Sequence, residues 1–305
     1  MKHGMKVSDR LSSVPVSGIR RMFDLAKPDS VNLGLGEPDL APPEEAVEGM
    51  KAAADAGRNG YSPTAGIPEL RAAVAERYSR YNPSLEGGNV VITPSGSTAL
   101  LEVSQGFVDP GDEVLVPSPG FVIYAPHARL AGGRPVEYRL SEGDFQPDMD
   151  HIQSMITGDT KMIVVNNPSN PTGGVLTEES RGALADIAAD RDIMILSDEV
   201  YEPYVYEGEH LSFLPYLDRS VVVGGFSKMM AVTGWRLGFA FAGKEAAEAL
   251  VKMQYHVCAS PGTPAMYGVL GALPSIDPYL EGARRAYRRR RDLPKIGRAS
   301  CRERV

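Results

Sequence analysis

The sequence predicts an α/β fold: a large domain built on a mostly parallel seven-stranded sheet covered by helices, with an incomplete small α/β lobe. Two observations carry this. Short apolar runs of VVV and IMIL type recur between helical patterns, as strands buried on both faces do in a parallel sheet. A chain of 305 residues, 43% apolar, is long for one hydrophobic core and suits one large domain plus a lesser lobe.

Taken in order, Glu44–Gly57 and Pro68–Tyr81 read as two helices joined by a loop containing Gly, Asn and Pro. Strand-like runs follow at Asn89–Thr93, Glu113–Pro117, Pro135–Leu140, Lys161–Asn166, Asp192–Ser197, Val221–Gly224 and Leu237–Ala242. Between them Ser97–Val108, Thr177–Arg191 and Lys244–Val257 have helical patterns, and Thr177 with acids in the next turn marks a helix start. The last two strand runs are joined only by Phe226–Arg236, which predicts one antiparallel or irregular connection. A further helical segment begins near Asp277 and carries Arg284, Arg285 and Arg288–Arg291.

Lys plus Arg number 32 against 39 Asp plus Glu, a net charge of −7, which argues against nucleic acid or an anionic membrane as partner. The arginine run is therefore read as a solvated helix face. No apolar run reaches the length of a membrane span, and the N-terminus lacks the apolar core of a signal peptide. Cys258 and Cys301 form no disulfide framework and no metal-ligand spacing. These features predict a cytoplasmic chain without a metal site. After Pro294 the text IGRASCRERV has neither hydrophobic period nor capping logic and looks like read-through of a sequencing adapter, so Ile296–Val305 is expected to be non-biological. Without its three arginines and one glutamate the remainder carries −9.

Four segments carry chemistry. Lys228, in GGFSKMMAVTGWRLGF, follows a buried strand directly, where a lysine can be a nucleophile toward an aldehyde. Arg236 lies eight residues on, and its guanidinium suits a phosphate. Asp198 in SDEVY ends the strand IMIL, at the edge where open α/β sheets bind ligands, with Tyr201 one turn later. Asn170 sits in NPSNPTG, whose two Asn-Pro steps and glycine force a rigid non-helical loop. Ser95-Gly96-Ser97-Thr98 joins a strand to a helix and offers free backbone N–H groups to an anion. Each alone has a plainer reading: surface charges for Lys228 and Arg236, a helix N-cap for Asp198.

Together, in the order GLGEPD (Gly34–Asp39), GYSPTAGIPELR, PSPGF, NPSNPTGG, SDEVY and SKMMAVTGWRLGF, they resemble the class I/II pyridoxal-phosphate aminotransferases of fold type I, the aspartate aminotransferase superfamily. The resemblance implies pyridoxal 5'-phosphate as cofactor and transfer of an amino group from an L-amino acid, aspartate-like, to a 2-oxo acid. It implies that Lys228 holds the cofactor covalently and moves the substrate Cα proton, and that Asp198 keeps the pyridine nitrogen protonated. Tyr201 and Asn170 would hydrogen-bond the phenolic oxygen, and Phe121 would stack on the ring, although core packing is its plainer reading. Gly96, Ser97 and Arg236 would seat the phosphate. Tyr61 would reach the phosphate of a neighbouring subunit, implying a homodimer, and Gly36 would meet the substrate carboxylate. A lyase or decarboxylase of the same fold, or a non-catalytic cofactor-binding module, are the alternatives.

Two departures stand out. Gly225 occupies a position where many relatives have a phosphate-binding serine, a role Ser227 or a backbone amide would take. The family's substrate-carboxylate arginine is expected beyond Pro294, so little activity is expected of this chain by itself. The domain reading is thus residues 1–41 for an N-terminal arm and part of the small lobe, 42–275 for the large domain, and 276–295 for the start of a connecting helix.

Overall fold

A computed structural model of the chain describes residues 5–15, 18, 25, 27, 34 and 36–302, with side chains through Leu293. Much of the arm over residues 1–41, and the end of the adapter-like tail, lie outside the described residues. The strands are β1 (Val90–Thr93), β2 (Glu113–Ser118), β3 (Arg134–Arg139), β4 (Thr160–Asn166), β5 (Met194–Asp198), β6 (Ser220–Gly225) and β7 (Gly238–Phe241). They form one sheet in the order β1-β7-β6-β5-β4-β2-β3. β7 is antiparallel to both neighbours, and the other pairs are parallel. The short link over Phe226–Arg236 therefore does what its length predicted.

The helices are α1 (Asp9–Ser12), α2 (Glu44–Asp55), α3 (Pro68–Tyr78), α4 (Gly96–Phe107), α5 (Tyr124–Ala131), α6 (Met149–Met155), α7 (Glu178–Arg191), α8 (Phe226–Met229), α9 (Lys244–Cys258), α10 (Thr263–Ala272) and α11 (Asp277–Arg302). Alternation along the strands makes two cores. Ile163, Ile195, Val222 and Phe239 pack with Leu184 and Ala188 of α7 on one face. Val164, Leu196, Val221 and Val223 pack with Leu100 and Val103 of α4 and Leu250 of α9 on the other. Each such side chain contributes about 1.5–3 kcal/mol through burial, so both faces of the central strands resist a polar substitution. At one edge β3 exposes three charged residues, Arg134, Glu137 and Arg139, which blunts pairing with another strand. Among the described residues no helix is long and apolar enough to cross a membrane.

Among the described residues five helices lie where no helix was predicted, and two of them, α1 and α8, are single turns of four residues. α5 and α6 span only 8 and 7 residues, too short to establish a period. α10 buries Ala265, Met266, Gly268, Val269 and Ala272, and its small residues let it lie against α2. A Cβ on Gly268 would come within 2.7 Å of the Ala46 carbonyl oxygen, so this contact depends on glycine. α11 continues through Pro294 to Arg302, where no element was predicted. Arg and Ala have high helix propensity, and extending an existing helix needs no new nucleus.

Candidate active site

The register brings the functional segments to one edge of the sheet. Asn166 at the end of β4 lies beside Asp198 at the end of β5, and Asp198 lies beside Val223 of β6. Gly225 faces Gly238, which faces Thr93 at the end of β1. The loops leaving these strands enclose a cavity of about 290 Å³. Of the residues singled out from the sequence, Gly36, Gly96, Ser97, Phe121, Asn170, Asp198, Tyr201, Ser227, Lys228 and Arg236 all line it. Tyr61 does not, and it is 92% exposed.

One end of the cavity is built for an anion. Ser95 caps α4 by accepting from the Thr98 N–H at 3.0 Å, so the helix opens with Gly96 and Ser97 at the cavity wall. Orphan N–H groups and the helix dipole make that wall electropositive. β7 supports it closely: a Cβ on Gly238 would stand 2.3 Å from the Gly96 nitrogen. Only glycine at 238 lets sheet and helix start meet there. Arg236 stands in the left-handed region, at φ 56, with its guanidinium donating to the Thr233 carbonyl at 2.9 Å.

Lys228 leaves the short helix α8, and its ammonium donates to the Gly36 carbonyl. Burial lowers its pKa, the Glu37 charge opposes this, and the Arg236 charge adds to it. Tyr204 donates its hydroxyl to the Lys228 carbonyl at 2.9 Å, which steadies the backbone under the amine.

Across the cavity Asp198 is 2% exposed. Its carboxylate accepts from the Tyr124 hydroxyl at 2.7 Å and from the Val200 N–H at 3.3 Å. Burial pushes its pKa up to about 6 although both hydrogen bonds pull it down. Burial and the Asp198 charge push Tyr201 up to about 12, while its hydrogen bond with Asn170 works the other way. The Asn170 N–H donates to Asn166 Oδ1 at 2.6 Å, and Asn166 Nδ2 donates to the Asp198 carbonyl at 2.9 Å. Asn166 thereby ties the NPSNPTG loop to the aspartate's own backbone. Phe121 meets Tyr124 edge to face, with ring centroids 5.9 Å apart.

Sequence reasoning missed Tyr124 and Asn166. Tyr124 stands one helical turn after Phe121, a spacing that could have suggested it; its partner is 74 residues away. Asn166 is the strand residue just before the recognised loop.

This donor set fits pyridoxal phosphate. A helix N-terminus walled by glycine, with one arginine, suits a phosphate, and an amine of lowered pKa suits an aldehyde. A buried carboxylate with unfilled acceptor capacity suits a protonated ring nitrogen.

The aminotransferase class I and II family model matches residues 28–294. The aromatic-amino-acid aminotransferase 2 of Thermococcus litoralis is 41% identical, over 95% of this chain and 77% of its own length. The aspartate/prephenate aminotransferase of Thermus thermophilus is 42% identical, over 87% of this chain and 70% of its own. Among solved structures, the Thermus thermophilus aspartate aminotransferase with maleate superposes with a TM-score of 0.92 at 38% identity, covering 97% of this chain and 81% of that one. The fold is that of the aspartate aminotransferases, the cofactor is pyridoxal 5'-phosphate, and the chain belongs to the class I and II aminotransferases.

Proposed function

We propose that the chain transfers the amino group of an acidic, aspartate-like L-amino acid to a 2-oxo acid, using the ten cavity residues in the roles their chemistry suits. The observation that carries this is Lys228, an amine of lowered pKa, sharing one cavity with the buried carboxylate of Asp198. Pyridoxal phosphate, when bound, supplies a sink for the electron pair left on the substrate Cα. The N–H groups of Gly96 and Ser97, with Arg236 and Ser227, hold its phosphate. Asp198 holds a proton at the pyridine nitrogen, and Tyr124 keeps that carboxylate in place. Tyr201 and Asn170 hydrogen-bond the phenolic oxygen, and Phe121 packs on the ring face. Lys228 takes the proton from the substrate Cα and returns it on the cofactor side, which a lowered pKa favours near neutrality.

Gly36 offers its backbone N–H to the substrate carboxylate, while its carbonyl is the group that accepts from Lys228. The acidic preference draws support from relatives named as aspartate aminotransferases and from the solved one holding maleate, a four-carbon dicarboxylate. Tyr61, exposed and outside its own cavity, reaches the phosphate site of a second subunit in a cytoplasmic homodimer. Incubation of the protein extended through the carboxylate-binding segment expected beyond Pro294, with a panel of L-amino acids and 2-oxoglutarate, tests the reading, with glutamate as the readout. Aspartate is expected to give the fastest glutamate formation. Release of ammonia or carbon dioxide without glutamate would overturn it in favour of a lyase or decarboxylase.

A further inference from the structure

Asp198 and Glu199 are consecutive acids whose side chains leave β5 on opposite faces. Asp198 meets Tyr124 of one core, while Ser197 and Glu199 turn toward Phe213 of the other. Glu199 is 2% exposed and fully engaged. Its Oε1 accepts from the Ser197 hydroxyl at 2.8 Å and from the Phe213 N–H at 2.9 Å, and its Oε2 lies 2.8 Å from His210 Nε2. Among the described residues the far ring nitrogen, His210 Nδ1, is buried without a hydrogen-bond partner, so the contact with Glu199 is what holds the imidazole. The strap from His210 to Phe213 is also fastened to the other site loop. Asn167 Nδ2 donates to the Leu211 carbonyl at 2.8 Å, and Asn167 Oδ1 accepts from the Leu176 N–H at 3.0 Å. One buried segment therefore grips the residue next to Asp198 and the loop that carries Asn170.

We propose that Glu199 and His210 are positioning residues that, through this strap, hold Asp198, Tyr201 and Asn170 at the spacing the pyridoxal ring requires. The inference rests on the proposed role of Asp198 in binding that ring. Neither residue lines the cavity, so their effect passes through the strand end and the loop and does not involve touching the cofactor. The phosphate seat at the start of α4 rests most closely on Gly238 of β7, with Val200 as a looser neighbour of Gly96, and among the described residues it makes no hydrogen bond to the strap, so the two halves of the cofactor site can be tested separately.

The test measures dissociation constants of pyridoxal phosphate and of inorganic phosphate, together with the unfolding midpoint of the cofactor-free chain. His210→Leu is expected to weaken pyridoxal phosphate about tenfold and inorganic phosphate less than about twofold. His210→Gln, which can still place an N–H on Glu199, is expected to restore pyridoxal phosphate affinity to within about threefold. Should His210→Leu be insoluble, Ser197→Ala removes one donor from Glu199 with little change in volume. It is expected to weaken pyridoxal phosphate about threefold and leave phosphate binding as it was. A lowered unfolding midpoint with both affinities unchanged, or equal weakening of both ligands, would overturn the proposal. Asp198→Asn serves as the control for the reading beneath it. If it too leaves pyridoxal phosphate binding unchanged, the role of Asp198 fails; if it weakens binding while the strap variants do not, the strap proposal alone fails.

Discussion

The two ends of the parallel strands carry buried carboxylates of opposite kind. Glu113, the first residue of β2, is 2% exposed; it accepts from Thr157 Oγ1 at 2.8 Å and Thr160 Oγ1 at 3.1 Å and pairs with Arg134. Asp198, the last residue of β5, is buried to the same degree and accepts from Tyr124 and the Val200 N–H, with the cavity beside it. Burial alone does not separate a structural acid from a functional one. Unfilled acceptor capacity facing a cavity does, because a carboxylate left short of donors is costly until a ligand supplies one. Glu102 of α4 sharpens the rule: it is fully buried, neither oxygen has a hydrogen-bond partner, and it lines no wall of the site cavity. Its burial pushes the pKa up to about 8, so it is kept neutral.

The largest effect expected on this contrast is at the amine opposite Asp198. Lys228→Ala should lower amino transfer at least about a thousandfold, the scale of a lost acid–base group. Borohydride reduction of the loaded chain followed by peptide mapping should label Lys228, and a label on any other lysine would remove the assignment.

Next comes the pair of acids itself. Asp198→Asn should lower kcat about a hundredfold, while Glu113→Gln should leave activity per folded molecule within about threefold and cost stability of about 1–2 kcal/mol. Urea unfolding and steady-state rates on both variants decide it; a large kcat loss at Glu113 would break the comparison.

Glu102 gives a pH signature. Its folded pKa, about 8, lies above its ordinary 4.5, so the folded chain keeps the proton longer than the unfolded one. Its contribution is fully present below pH 4.5 and is lost as pH rises toward 8. Between pH 5 and pH 9 the parent chain should lose about 4 kcal/mol relative to Glu102→Gln, with the two converging at the acid end. Parallel denaturation curves at both pH values that keep a constant gap would show that Glu102 is not held neutral.

The smallest effect concerns Tyr124. Tyr124→Phe removes a bond that lowers the Asp198 pKa, so that pKa should rise further and pyridoxal phosphate should bind about fivefold more weakly. Equilibrium dialysis measures it, and unchanged affinity would release Tyr124 from the site.

Much of this was legible because strand ends and their loops are contiguous in sequence. SDEVY, NPSNPTGG and SKMMAVTGWRLGF each place a strand, its turn and a reactive side chain within a few residues, and all seven strand runs overlap observed strands. What escaped depends on partners distant in the chain. Nothing local in Tyr124 points to Asp198, and the glutamate of SDEVY reads as a mere neighbour until His210 and Phe213 are folded against it. The helix Thr263–Ala272 escaped because it is apolar on several sides and offers no stripe to detect.

The antiparallel placement of β7 has a consequence for how the chain is made. Among the described residues β1 pairs with β7 alone, and Val90 is matched to Phe241, roughly 150 residues later. During synthesis β1 and the start of α4 must wait, unpaired, until the strand at Gly238–Phe241 has left the ribosome. Contacts of such wide sequence separation form late and slowly, with an open strand edge exposed meanwhile. The phosphate end of the cavity is therefore among the last parts of the sheet to be assembled, because Gly96 and Ser97 are translated well before Ser227, Arg236 and Gly238, which complete it.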